Sequence, residues 1–488
     1  MSYLDLLKLA SPEAVVIVTA LLVLLAGLAS KRGHGICSAV AAVGIFVAIS
    51  TILLLPNRAT FLSGMLVISP LNSLFKIICL TLALFTVILA TCDDIPRHQG
   101  EYLALVLVAT IGLMLLVGSE ELLMIFIGLE LTGLSLYVMA GFDKRDSRSA
   151  EAGLKYFLFG STASAFTLFG ISLVYGMSGS TVLAAIGQKL AAGSVQPLLF
   201  AGIVMTLIGF AFKIAAAPFH LWVPDTYQGA PVPSAAFIAS GSKVASFVIL
   251  GKIVLIGFAP VHGSADWHAM RAGWTPVLAT LAALSIVIGN LAALAQSNVR
   301  RLLAYSAVAH AGYTLLGIVA AGKEGFGATL FYTTVYAFTL VGAFGIVALV
   351  RRDTGGADLK NFSGLWQRSP LLSICMAVFM LSLAGLPPLA GFFGKFYLFS
   401  AAMRATPNHG LLWLVALGLL GSFISLYYYL SVLKAVFVDD SDPLARGLSP
   451  VIHFDLLQKL SLGLLAGIVL VLGLLPDLLV SQIMAAVR

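Results

Sequence analysis

Six ionisable side chains stand inside apolar runs: Glu130, Lys155, Lys213, Lys243, His310 and Lys395. A charge at membrane depth costs at least a few kcal/mol, so residues of this kind are retained for function. Their neighbourhoods are IFIGLELTGLSLY for Glu130, LIGFAFKIAAAPFHLWVPD for Lys213, SGSKVASF for Lys243, YSAVAHAGYTLLG for His310 and LSLAGLPPLAGFFGKFYLF for Lys395. The chemistry that such a set supports is proton transfer. Lysine normally holds its proton, with a reference pKa of about 10.4. Burial and neighbouring cations lower that affinity, and a nearby carboxylate raises it. Glu130 is the natural partner of Lys213, because nothing else at that depth has the opposite sign. One pKa unit is about 1.4 kcal/mol, and one charge moved against 100 mV costs roughly 2.3 kcal/mol. A change of about two units at one lysine therefore decides the direction of transfer. Gaps between the groups require water, which broken helices admit.

Blander readings stand beside this one. Lys76 and Lys252 lie near span ends, where a long stem lets the ammonium snorkel to the surface. Lys155, one to two turns inside its span, is balanced between snorkelling and lining a proton entrance. A lone buried histidine is more often a satisfied core residue, although Tyr305, Ser306 and Tyr313 share the helix of His310.

These groups are positioned by long apolar helices. The chain has 488 residues, of which 60% are hydrophobic and 10% charged, with a mean hydropathy of +1.03. Soluble domains carry about 25% charged residues, so the composition excludes a soluble globular protein. It predicts an all-α polytopic membrane protein of about fourteen spans. These fall near 12–30, 36–55, 70–91, 100–117, 119–141, 150–177, 196–220, 230–258, 274–296, 300–320, 326–350, 369–402, 409–438 and 456–485. The stretch from Arg58 to Ser69 alternates in the manner of a hairpin. Prolines Pro387 and Pro388 break the over-long span at 369–402, since proline removes a donor and clashes with the preceding turn. A second break is expected at Lys213.

Glu130 precedes Lys213 by 83 residues, and His310 precedes Lys395 by 85. Each interval runs from an unbroken helix to the second helix after it, which carries the break. This places Lys213 and Lys395 at equivalent positions of two inverted five-span repeats, spans 4–8 and 9–13, in the manner of transporters. The corresponding domains are 1–99 (spans 1–3), 100–258 (first repeat), 274–438 (second repeat) and 456–488 (span 14).

Fifteen Lys and Arg residues follow odd-numbered spans, seven lie on the other side and six fall within spans. The positive-inside rule places the first set in the cytoplasm and both termini on the periplasmic side. The net charge of +7 then reflects these loops and not nucleic-acid binding. Cys37, Cys79, Cys92 and Cys375 have no metal-site spacing, so no metal, haem or iron–sulfur site is expected. The chain contains no GxGxxG and no P-loop, so it should bind neither NADH nor ATP. The N-terminus lacks the basic region and cleavage site of a signal peptide.

The segments GFAFKIAAAPFHLWVPDTYQGAPVPSAAFIASGSKVASF, GNLAALAQSNVRRLLAYSAVAHAGYTLLG and LSLAGLPPLAGFFGKFYLF resemble the subunit N family of proton-pumping NADH:quinone oxidoreductase (respiratory complex I), which is similar to Mrp-type antiporter subunits. The resemblance runs from about residue 65 to 440. It implies fourteen helices in two inverted repeats, each with a broken helix. It also implies a relay role for Glu130, Lys213, Lys243 and Lys395, with His310 and Lys155 at further family positions. Lysine at 395, where subunit M has glutamate, and a chain that stops soon after span fourteen, unlike subunit L, favour N. NADH, FMN, iron–sulfur clusters and quinone are implied in partner subunits, with subunits K and M as neighbours in a bacterial inner membrane. The alternatives are a subunit of an Mrp-type Na⁺/H⁺ antiporter, a membrane hydrogenase subunit that uses the same relay, and a scaffold with inert buried lysines.

Overall fold

The helix starts are written into capping residues. Ser69, Glu121, Asp146 and Asn298 hold extended backbone, and their side chains accept hydrogen bonds from first-turn amides, which otherwise lack partners. Gly179, Gly355 and Gly385 end helices in left-handed backbone. The computed structural model describes residues 7–29, 34–91, 98–192, 196–406, 408–439, 452 and 454–487. Lys31, Arg32, Cys92, Arg97, Arg446 and Arg488 lie outside the described residues.

The helices in chain order are α1 (Ser11–Ala29), α2 (His34–Leu54), α3 (Pro70–Leu89), α4 (Gln99–Gly118), α5 (Leu122–Ala140), α6 (Ser147–Ser178), α7 (Leu183–Ala191), α8 (Pro197–Lys213), α9 (Val223–Gly229) and α10 (Val232–Ala239). Then come α11 (Gly241–Lys252), α12 (Trp274–Leu294), α13 (Val299–Ala320), α14 (Gly322–Thr354), α15 (Leu365–Arg368), α16 (Pro370–Ala384), α17 (Ala390–Arg404), α18 (Leu412–Phe437), α19 (Leu456–Leu474) and α20 (Asp477–Ala486). Among the described residues, twelve spans are long and apolar enough to cross a membrane. Two more crossings are broken, α8 with α9 and α16 with α17, which gives fourteen. The protein is a multi-pass membrane protein.

The expected hairpin is present, as β1 (Ala59–Phe61) paired antiparallel with β2 (Leu66–Ile68) in the register Thr60↔Val67. The span expected to run to 485 instead ends at Leu474. Pro476 follows, and the chain restarts as α20.

Burial sorts the helices. The most apolar window of α14 is wholly buried, and those of α10–α11 and α13 nearly so. These form the centre. On the rim, α1, α2, α6 and α19 expose large apolar side chains such as Leu25, Phe46, Phe169 and Leu464. With no water-facing polar cover, that surface suits lipid.

The two halves share local features in the same order. The cap Glu121 of α5 bridges Val182, just beyond the end of α6, and the cap Asn298 of α13 bridges Asp358, just beyond the end of α14. Both long helices end on a left-handed glycine. Each half then carries one broken crossing.

Small residues let the central helices meet. A Cβ at Gly289 on α12 would lie 2.4 Å from the Ala309 amide nitrogen and 2.9 Å from the Tyr305 carbonyl. Both contacts are backbone of α13, next to His310. Gly289→Val is therefore expected to push α13 outward at a cost of about 1–3 kcal/mol. A thermal-unfolding scan of the purified complex measures this as a lowered midpoint for this subunit.

Candidate functional site: a row of buried lysines and tyrosines

The first break begins at Lys213, the last residue of α8. Ala215 has a φ of 66°, the Ala217–Pro218 peptide is cis, and helix resumes at Val223. The Ala217 amide donates to Ser285 Oγ on α12 at 2.8 Å, which ties the first break to the second half. The Lys213 ammonium lies 5.6 Å from the centre of the Tyr137 ring on α5. The described residues give it no direct hydrogen bond. Glu130, also on α5, accepts a hydrogen bond from Ser164 on α6.

Glu130 and Lys213, expected as partners, make no direct ion pair among the described residues. The two groups line one cavity of about 20 Å³, together with Tyr137, Ser164 and Thr167. A water needs roughly 10–15 Å³ of such space, so this cavity has room for one molecule. The reason for the separation is that Glu130 turns to the α6 hydroxyl while Lys213 lies over the tyrosine face.

Lys243 follows a discontinuity that the sequence reading missed. Ser240, with φ −113° and ψ −80°, separates α10 from α11. The Ser240-Gly241-Ser242 run was its signal, since Gly/Ser pairs are among the identifiable causes of kinks. The Lys243 ammonium donates to the Ala307 carbonyl on α13 at 2.6 Å and lies 5.5 Å from the Tyr336 ring centre on α14.

His310 is held at both ring nitrogens. Nδ1 meets the Tyr332 hydroxyl at 2.5 Å, and Nε2 meets the Tyr429 hydroxyl at 2.9 Å. Tyr429 is also hydrogen-bonded to Ser306. A neutral imidazole donates at one nitrogen and accepts at the other, so one tyrosine accepts from it while the other donates to it. Tyr336 lies between Lys243 and His310, with its ring centre 4.9 Å from the imidazole. Its buried hydroxyl has no hydrogen-bond partner. Tyr313 lies between His310 and Lys395, at 5.5 Å from the imidazole and 5.1 Å from the ammonium.

Lys395 closes the row. Its ammonium donates to the Leu383 and Ala384 carbonyls, each at 3.0 Å, and to Ser422 Oγ on α18 at 2.9 Å. Those carbonyls end α16 at Gly385, where the chain turns left-handed. The free carbonyls and negative pole of a helix C-terminus favour a cation there. The expected equivalence of Lys213 and Lys395 does not hold in detail. Lys213 lies before its break, on the first half-helix, whereas Lys395 lies after its break, on α17.

Lys155 stands apart from the buried row. It pairs with Glu151 at 2.5 Å and with Asp225 at 2.6 Å, and Asp225 also pairs with Arg301 at 2.8 Å. This partly exposed cluster joins the ends of α6, α9 and α13. Along the first break and α9, the His220 Nδ1, Trp222 Nε1, Thr226 and Tyr227 polar atoms are buried without partners. Such orphans are rare unless water meets them.

The snorkelling reading fails for two other lysines. Lys76 is buried against Glu13 at 2.6 Å. Lys252 donates to Asn72 Oδ1 at 2.6 Å and to the Val117 carbonyl at 3.0 Å. Glu13 was not recognised as a deep acid because it lies near a helix start. Asp225, Tyr332, Tyr336 and Tyr429 were also missed, whereas Tyr313 was noted on the helix of His310. The signal for Asp225 was a lone acid just past a break, and for Tyr332 and Tyr336 it was the i,i+4 spacing that puts both on one helix face.

A family profile described as NADH:quinone oxidoreductase/Mrp antiporter, transmembrane region, matches residues 119–425. NADH-quinone oxidoreductase subunit N 2 of Acidobacterium capsulatum is 45% identical, over 98% of this chain and 98% of that one. NADH-quinone oxidoreductase subunit N of Moorella thermoacetica is 43% identical, over 82% and 83%. A chain of respiratory complex I from Thermus thermophilus superposes with a TM-score of 0.80 at 34% identity, covering 97% of this chain and all of that one. A chain of the Mrp complex from Dietzia shares the fold alone, with a TM-score of 0.84 at 21% identity. The profile match and the relatives covered along nearly their whole length agree on one assignment: the chain belongs to the NADH:quinone oxidoreductase/Mrp antiporter family of membrane subunits, within its subunit N group.

Proposed function

We propose that the chain translocates protons as a membrane subunit of NADH:quinone oxidoreductase, driven by redox chemistry in other subunits. The observation that carries this reading is the alternation Lys243–Tyr336–His310–Tyr313–Lys395, in which every titratable group is buried and separated from the next by one aromatic ring. An inert core would neutralise such groups with fixed partners. Here each ammonium rests on carbonyls, a hydroxyl or a ring face, and these hold the cation without locking it to an acid.

Protons enter from the cytoplasm at the Lys155–Asp225–Arg301 cluster. They pass the orphaned polar atoms of the first break and reach the Glu130–Lys213 cavity. Displacement of Glu130 from Lys213 lowers the hold on the lysine's proton, which then moves through Lys243 and His310 to Lys395. The two repeats comprise residues 100–258 and 274–438, flanked by 1–99 and 456–488. Both termini face the periplasm of a bacterial inner membrane. The redox chemistry, with NADH, FMN, iron–sulfur clusters and quinone, belongs to partner subunits, and subunits K and M are its neighbours in the membrane.

The test is NADH-driven proton pumping in membranes that retain the assembled complex. Groups that transfer protons contribute about 10²- to 10⁴-fold, so Lys213→Ala is expected to reduce pumping at least about tenfold, and Lys395→Ala likewise. Normal pumping in Lys213→Ala would sink the relay. Unchanged pumping in Lys395→Ala would reduce that residue to a packing role.

A further inference from the structure

The first break is poor in backbone donors of its own. From 218 to 233 it carries four prolines, Pro218, Pro224, Pro231 and Pro233, and each lacks an amide hydrogen. The amides of Ala215 and Ala216 turn back onto the Phe212 and Ala211 carbonyls, at 3.0 and 2.8 Å. The next amide, at Ala217, has its partner in the other half: Ser285 Oγ on α12, at 2.8 Å. A hydroxyl has one hydrogen to give, and Ser285 gives it to the Leu281 carbonyl one turn back, at 2.6 Å. The oxygen is thereby fixed as the acceptor of the Ala217 amide.

The far end of the break has the converse need. The Ala230 amide closes α9 on the Thr226 carbonyl, at 3.0 Å. Pro231 has no amide to offer the Tyr227 carbonyl. A residue before proline is also pushed out of helical backbone, as Ala230 is, with ψ 156°. Arg300, in the first turn of α13 and buried, supplies the donors instead. Its Nε donates to the Tyr227 carbonyl at 2.7 Å, and its Nη2 donates to the Ala230 carbonyl. Arg301 beside it holds the Asp225 carboxylate at 2.8 Å and the Gln228 side-chain oxygen at 3.0 Å. Two helices of the second half thus hold a stretch of the first half at both ends. His220, Trp222, Thr226 and Tyr227, whose side-chain polar atoms are buried without partners, all lie on that stretch.

We propose, on the relay reading above, that Ser285 and Arg300 are positioning residues through which the second half holds the proton entry of the first. Neither group titrates in this role. A guanidinium stays charged in proteins, and the Ser285 proton is committed to Leu281. What they fix is register. Arg300 precedes His310 by ten residues on α13, and Ala307, whose carbonyl receives the Lys243 ammonium, lies between them. A shift of α9 against α13 would separate the entry stretch from Lys243 and His310 together. Movement of α12 or α13 in the second half is thereby felt at the entry of the first.

Three variants of the assembled complex test this: Ser285→Ala, Arg300→Met and Arg300→Lys. They are read by hydrogen–deuterium exchange over residues 214–230 and by protons pumped per NADH oxidised, with NADH oxidation by an artificial acceptor as the check on assembly. Ser285→Ala releases the Ala217 amide, and Arg300→Met releases the end of α9. Both are expected to exchange several-fold faster over 214–230 and to pump several-fold fewer protons per NADH. Arg300→Lys keeps a charge with three hydrogens to donate and is expected to return both readouts most of the way to the parent. Parental exchange in Ser285→Ala and Arg300→Met overturns the proposal. So does faster exchange with an unchanged pumping ratio, or an Arg300→Lys complex that behaves like Arg300→Met. If Lys213→Ala pumps normally, the relay itself has failed; if Lys213→Ala loses pumping while Ser285→Ala and Arg300→Met pump like the parent, the positioning role alone has.

Discussion

Lys243→Ala is expected to stop proton translocation in an assembled complex, with a larger effect than any other single change in the row. Lys243 lies where the halves meet, with its ammonium on an α13 carbonyl and against an α14 ring. Alanine there removes the buried amine that stands between the Lys213 cavity and His310 in the relay. The loss follows from chemistry, since the substitution also removes a buried cation whose desolvation was costly. The fold should therefore tolerate it, since the Ala307 carbonyl lies inside α13 and keeps its helical partner. Lys243→Arg keeps the charge but not the function, because guanidinium does not give up its proton in proteins. Loss of pumping in both variants separates a need for titration from a need for charge.

The second large effect is expected at His310. His310→Phe keeps an aromatic ring but leaves the Tyr332 and Tyr429 hydroxyls without their imidazole partner. An unsatisfied buried group costs about 1–3 kcal/mol, so this variant should lose both pumping and thermal stability. His310→Gln retains a donor and an acceptor but cannot carry a proton. It is expected to restore much of the stability and none of the pumping. Thermal unfolding and NADH-driven pumping of the two variants, compared side by side, measure this. Parental pumping in His310→Gln would show that the residue only packs.

Much of this architecture was legible from local chemistry. Pro387 and Pro388 announced the second break because proline cannot continue a helix, and α16 indeed ends just before them. The alternation between Arg58 and Ser69 gave the hairpin. The depth of Lys213, Lys243 and Lys395 followed from the length of the apolar runs around them. What was not legible was how side chains choose partners across helices. Glu130 and Lys213 have opposite charge and matching depth, yet Ser164 and Tyr137 on neighbouring faces claim them. Equal sequence intervals placed Lys213 and Lys395 as counterparts, but intervals do not register on which side of a break a residue falls. Lys76 and Lys252 looked like snorkelling residues because stem length and nearness to a helix end are local properties. Their actual partners, Glu13 and Asn72, come from helices that only the fold brings close. Tyr332, Tyr336 and Tyr429 were hidden for a further reason: in an apolar helix a tyrosine reads as core until the hydroxyl and ring face are seen to have separate roles.

A scaffold with inert lysines and a proton relay differ most directly in transport. The decisive measurement is therefore the number of protons translocated per NADH oxidised in proteoliposomes containing the Lys243→Ala complex, with NADH oxidation by an artificial acceptor as the check on assembly. The relay predicts a ratio well below the parent's in a complex that is assembled and still oxidises NADH. A ratio equal to the parent's would contradict it.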